Sequence, residues 1–166
     1  MMRRALIAFA SLMLAGCGLH SLYGEGSGGP VAGLLRTVQV APIGGQSGWL
    51  VRTRLVDRLG AVQGSSAQYR LEVTLDDNIT SFGLRADRAA TQERRTLRAR
   101  YQLVNIADGQ VLLDETAGSD TGIDIVSSEY ATVAAEQTAL EQLSEIVADQ
   151  IVARLAVYAA RTTHAK

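Results

Sequence analysis

The 166-residue chain has little of what metal sites and most hydrolases are built from. It has one cysteine, Cys17, so an internal disulfide and a cysteine-based zinc site are both excluded. It has two histidines, His20 and His164, one near each end of the foldable part, which argues against a histidine-centred triad or a multi-histidine metal site. Lysine occurs once, as Lys166, and the other 15 of the 16 basic residues are arginine. The formal net charge is −1, without the overall basic balance of a nucleic-acid binder. No G-x-S-x-G, Walker A or HExxH pattern is present, and there is no usable Cys/His pair. The expectation is a protein that is not an enzyme and holds no metal. What remains is globular in composition, 47% hydrophobic, 20% charged and 5% aromatic.

Residues 1–16 have the layout of a secretory signal. Arg3 and Arg4 supply the positive start, and residues 5–15 form an apolar run of 11. A bilayer span needs about 20 apolar residues, so this run is too short. Leu14, Ala15 and Gly16 stand directly before Cys17 and resemble the bacterial lipobox. That resemblance implies cleavage before Cys17 and a diacylglycerol plus an acyl chain on the cysteine, with no other cofactor. Each buried CH₂ adds about 0.8 kcal/mol, so three chains anchor permanently where one anchors only marginally. Cleavage leaves 150 residues and takes the formal charge from −1 to −3. Gly18 follows the cysteine where an aspartate would resemble an inner-membrane retention signal, so the expected location is the outer membrane, on its periplasmic side.

Residues 17–35 are glycine-rich and read as a lipidated, flexible tether. Residues 36–160 carry the folded pattern, and 161–166 read as a tail. Thr37 to Pro42 alternates like a short strand ending at proline. Ser47 is a candidate cap for a helix from about Trp49 to Leu59, with Val51, Leu55 and Leu59 on its buried stripe. Tyr69 to Asp76 alternates without error, and the pattern then loosens through Gly83. Arg94 to Ile106 alternates again, with Leu97, Ala99, Tyr101 and Leu103 opposite Arg98, Arg100 and Gln102. Asp108-Gly109 then predicts a two-residue hairpin turn into a further strand. From Ser128 to about Tyr158 neither proline nor glycine occurs and the period becomes helical, with Ser127 or Ser128 as cap. The expected fold is α+β, a two-layer sandwich in the order β-α-β-β-β-α. Two helices cover one face of a four-stranded, largely antiparallel sheet.

One cluster stands above background. Arg85, Arg88, Arg94, Arg95, Arg98 and Arg100 are six arginines within 16 residues. Guanidinium forks suit phosphate and carboxylate, so the cluster is a candidate anion patch for a lipid or a partner. The plainer reading is a solvated edge that blunts strand-to-strand aggregation. Asp76 and Asp77 are adjacent and would point to opposite faces of a strand, so they cannot share one site.

Several blocks together resemble the LPS-assembly lipoprotein family LptE. They are Gly16-Cys-Gly-Leu-His-Ser-Leu-Tyr-Gly24 after the lipobox, Val40-Ala-Pro-Ile43, Tyr69 to Leu75, Arg95 to Leu103, and Ser128-Glu-Tyr-Ala-Thr132 before the long helix. Ser21 departs from the proline expected there. The resemblance implies an outer-membrane lipoprotein that sits inside the β-barrel LptD, supports its assembly and helps pass lipopolysaccharide to the outer leaflet. Family members bind lipopolysaccharide through basic residues, and none of those positions transfers here by motif. The expected partners are an LptD-like barrel, lipopolysaccharide and the outer membrane, with no nucleic acid. A generic envelope adaptor docking another outer-membrane complex is the alternative.

Overall fold

The structure is a computed structural model that describes residues 29–60, 67–84, 90–126 and 128–164. Leu14, Ala15, Gly16 and Cys17 lie outside the described residues, as do Arg85 and Arg88. The element order is α1 (Pro30–Arg36), β1 (Val38–Val40), α2 (Gly45–Leu59), β2 (Tyr69–Leu84), β3 (Ala90–Asn105), β4 (Val111–Asp124) and α3 (Glu129–His164). The sheet order is β1-β2-β3-β4, with β1 parallel to β2 and the other pairs antiparallel. This is the expected α+β sandwich, with one helix more than expected and a mixed sheet.

The alternation of β2, β3 and β4 sorts their side chains into two faces. Leu71, Leu97, Ala99, Tyr101 and Leu103 are buried on the face turned to the helices. Val51, Leu55 and Leu59 of α2 meet them, and so do Leu140, Leu143, Val147, Ile151 and Leu155 of α3. The 36 residues of α3 make a helix of roughly 54 Å. The 16-residue strands β2 and β3 reach roughly 53 Å, so one helix runs the length of the long hairpin. Gln46 of α2 bonds Gln137 of α3, and Arg58 near the other end of α2 pairs with Glu145 and Asp149. The two helices therefore run in the same direction, with α2 lying beside α3 from Gln137 to Asp149. No helix among the described residues is long and apolar enough to cross a membrane.

Several boundaries differ from expectation, each for a local reason. Residues 30–35 were expected in the tether, yet Pro30 opens α1 at a position where its missing N–H costs nothing. Leu35 then buries against the core. α2 begins at Gly45 with Gly44 as its cap, so Ser47 lies inside the helix and does not cap it. It ends at Gly60, whose φ of 58° is the left-handed geometry that only glycine adopts freely. β2 continues eight residues past Asp76, to Leu84. The turn at Asp108-Gly109 is longer than two residues, because the Asn105 N–H bonds the Gln110 carbonyl at 2.9 Å and encloses residues 106–109. α3 starts where expected, with the Ser128 hydroxyl accepting from the Ala131 N–H at 3.4 Å, but runs through the expected tail to His164.

Candidate functional site

The described arginines of the cluster all belong to β3, including Arg94, which was expected at the turn leading into it. Parity divides them between the two faces of the sheet. Arg94, Arg98 and Arg100 share the face away from the helices. Arg95 shares the helix-side face with Leu97 and Ala99.

Arg95 is engaged in holding the layers together. It donates to both carboxylate oxygens of Asp77 on β2, at 2.9 and 2.8 Å, and to the backbone carbonyl of Glu136 on α3 at 2.9 Å. The pair is largely shielded, with side-chain exposures of 12% and 21%. The hydrogen bond to Asp77 is the main cause that raises the Arg95 pKa. Asp76 and Asp77 do fall on opposite faces, and only Asp77 meets this arginine.

The open face has the opposite character to a bare basic patch. Register places Arg70, Arg94, Arg98 and Arg100 there with Glu72, Asp76, Asp114, Asp120 and Asp124. Most of these charges are paired. Arg70 meets Glu72 at 2.7 Å, Arg94 meets Asp120 at 3.6 Å, and Arg100 grips Asp114 through two bonds of 3.0 and 2.8 Å. Gln102 donates to the same Asp114 carboxylate at 2.8 Å. The Arg100 bond, helped by Gln102, holds the Asp114 carboxyl down at about 2. The Asp114 hydrogen bond in turn raises the Arg100 pKa. Arg94 also lies over the Phe82 ring, 5.6 Å from its centre.

Arg98 differs from its neighbours, because among the described residues it has no ion pair or hydrogen bond. Its stem packs against Gly118 on β4, where an added Cβ would come within 3.2 Å of the Arg98 Cγ. It lines an open groove of about 490 Å³ with Thr74, Asp76, Arg100, Thr116 and Gln150. The absence of a side chain at Gly118 thus makes room for the one described arginine of the cluster that is chemically free.

Buried tyrosine adds a second polar contact on the helix side. The Tyr101 hydroxyl donates to Glu115 at 3.2 Å, and burial pushes its pKa well up. Tyr101 lies fully buried on the helix-side face and does not line the groove, so its role is structural.

Comparison with known proteins follows the same lines. A family model described as LptE, lipopolysaccharide-assembly, matches residues 35–155. The chain belongs to the LptE family. That family of lipopolysaccharide-assembly lipoproteins belongs to the bacterial envelope. Among solved structures, a lipoprotein from Caulobacter crescentus CB15 is similar at 25% identity and a TM-score of 0.66, over 78% of this chain and 96% of that one. The rare lipoprotein B of Shewanella oneidensis matches at 12% identity and a TM-score of 0.59, over 76% and 98%. A minor lipoprotein of Acinetobacter baumannii matches at 12% identity and a TM-score of 0.58, over 74% and 92%. The last two likenesses concern the fold alone. No curated protein sequence matches the chain at a significant level. The matched LptE region contains every described arginine of the cluster and all four strands.

Proposed function

We propose that this LptE-family protein is an outer-membrane lipoprotein, anchored on the periplasmic side through lipid on Cys17. In this reading it occupies and supports an LptD-like β-barrel and helps deliver lipopolysaccharide to the outer leaflet. The observation that carries the proposal is the family match over residues 35–155, on a sandwich with the expected two-layer architecture. The chemistry required is binding and shape, with no catalytic group. A two-layer body with one broad polar sheet face suits a water-filled, charge-lined lumen, where Arg94, Arg100 and their carboxylate partners can exchange ion pairs with the wall. Arg98 is the best-placed anion contact, since recognising a phosphate or carboxylate there breaks no existing described pair. Arg85 and Arg88 extend the candidate patch by sequence.

The test is purification of the full, lipidated chain from outer membranes after cross-linking. A large barrel protein is expected to come with it, and a preparation without one overturns the barrel reading. In the same preparation, Arg98→Gln is expected to lower lipopolysaccharide retention at low salt more than Arg100→Gln, whose arginine is already committed to Asp114. Equal retention by wild type and Arg98→Gln removes the anion role. Cys17→Ala is expected to leave the precursor unlipidated, and a membrane-anchored product from that variant would remove the lipobox assignment.

A further inference from the structure

β2 has two edges, and one of them is nearly bare. β3 pairs along the first. β1 covers the second only at Tyr69, Arg70 and Leu71. The last backbone bond on that side runs from the Ala41 N–H to the Leu71 carbonyl, at 2.9 Å. Beyond it, the alternation of an antiparallel ladder decides which groups face outward. Leu71 turns its carbonyl away from β3, so Val73, Leu75, Asp77, Ile79 and Ser81 turn their N–H and C=O groups the same way. Among the described residues nothing bonds these groups. The bare stretch is roughly 30 Å long.

The opposite edge of the sheet is treated differently. There Gln150 of α3 lays its amide along β4, accepting from the Gly118 N–H at 3.0 Å and donating to the Gly118 carbonyl at 3.3 Å. A side chain thus stands in for a strand at the middle of β4. The bare part of β2 has no such cap, and no proline, no lysine and no register shift from Tyr69 to Phe82. Ile79 and Phe82 are exposed beside it, at 37% and 40%. Native sheets blunt or cover long exposed edges, because an unguarded edge recruits further strands.

We infer that the bare edge of β2 receives an extended strand from a different polypeptide, one with a basic residue facing Asp76 and an apolar residue facing Ile79. Charge decides against a second copy of this chain. The segment from Glu72 to Phe82 carries Glu72, Asp76 and Asp77 and no basic residue. Two copies laid edge to edge would bring acids and no basic residue to the seam, and like charges across strands destabilise the pairing. Glu72 and Asp77 already have arginine partners, whereas Asp76 has no ion pair among the described residues. Asp76 and Ile79 lie on opposite faces, so the incoming strand alternates basic and apolar residues. The inference rests on the proposed barrel partner, which would supply that strand.

Amide hydrogen exchange on the full lipidated protein, alone and in its barrel complex, tests this. Alone, the amides of Leu75, Asp77, Ile79 and Ser81 should exchange fast while those of Asp76, Asn78 and Thr80, bonded to β3, exchange slowly. In the complex the first set should slow by roughly tenfold or more. Ser81→Pro removes an outward N–H and spares the β3 ladder, so it should lower recovery of the barrel. Asp76→Arg, at an exposed position, should do so by charge alone. A recovered complex with those amides still fast overturns the edge inference and leaves the barrel reading standing. Slowing that accompanies self-association also overturns it. Failure to recover any barrel overturns the barrel reading, and the inference falls with it.

Discussion

Asp114 is the clearest case of one residue whose chemistry is set by its neighbours. Its carboxylate accepts two bonds from Arg100 and one from Gln102, and the charged form is favoured accordingly. The folded pKa of about 2 lies below the ordinary 3.8. A carboxylate lowered in the folded state contributes stability that is complete above its unfolded pKa and is lost as pH falls through the folded one. The advantage of wild type over Asp114→Asn in melting temperature should therefore hold from about pH 6 to pH 4 and shrink between about pH 4 and pH 2. An advantage unchanged across the lower window would show that the pair does not act this way. Ser144 presents the reverse situation. It is 1% exposed on the buried side of α3, and its hydroxyl has no hydrogen-bond partner among the described residues. Ser144→Ala removes a desolvated hydroxyl and improves helix propensity, so it should stabilise by about 1 kcal/mol. Denaturant unfolding gives the sign directly, and a destabilised variant would mean that the hydroxyl is satisfied.

At the scale of elements, the Arg95–Asp77 pair joins three of them, since Arg95 also bonds the Glu136 carbonyl of α3. Removing the charge with Asp77→Asn leaves a shielded guanidinium without its counter-ion. The pair is partly exposed, so the cost should be about 1–3 kcal/mol, below that of a fully buried pair. Urea unfolding would measure it, and a neutral result would demote the pair to a surface contact. How legible each element was in the sequence follows from what holds it. β3 and the first half of β2 read correctly because one face is buried under helices, and burial imposes alternation. The same alternation puts Arg95 beside Leu97, so its separation from Arg94, Arg98 and Arg100 was readable, although charge alone grouped the four together. The second half of β2 did not read as a strand. α2 ends short of it, Ile79 and Ser81 stay exposed, and pairing with β3 keeps it extended without an apolar face. α1 was masked by the glycines around it, and the signal that could have found it was Pro30 ahead of Leu34 and Leu35. The pairing of Arg94 and Arg100 with acids depends on β4 lying beside β3 in one register, which the spacing of residues does not state.

At the scale of the whole molecule, the body and its attachment are separable. Every described residue of the main hydrophobic cluster lies between Leu35 and Ala156. The polar sheet face, the groove at Arg98 and the bare edge of β2 all belong to that same body. In the proposed function, anchorage comes instead from the lipid on Cys17. A chain beginning at Gly29 should fold by itself, with a cooperative thermal transition and a melting temperature within about 3–4 °C of the longer chain, the shift that roughly 1 kcal/mol produces in a domain of this size. Circular dichroism at both far and near ultraviolet wavelengths measures this. A chain that keeps helical signal but loses fixed aromatic packing would place part of the stabilising core before Gly29. If the truncated body instead folds fully and still recovers a barrel partner from detergent extracts, recognition resides in the sandwich and the lipid serves only to keep the protein at the membrane.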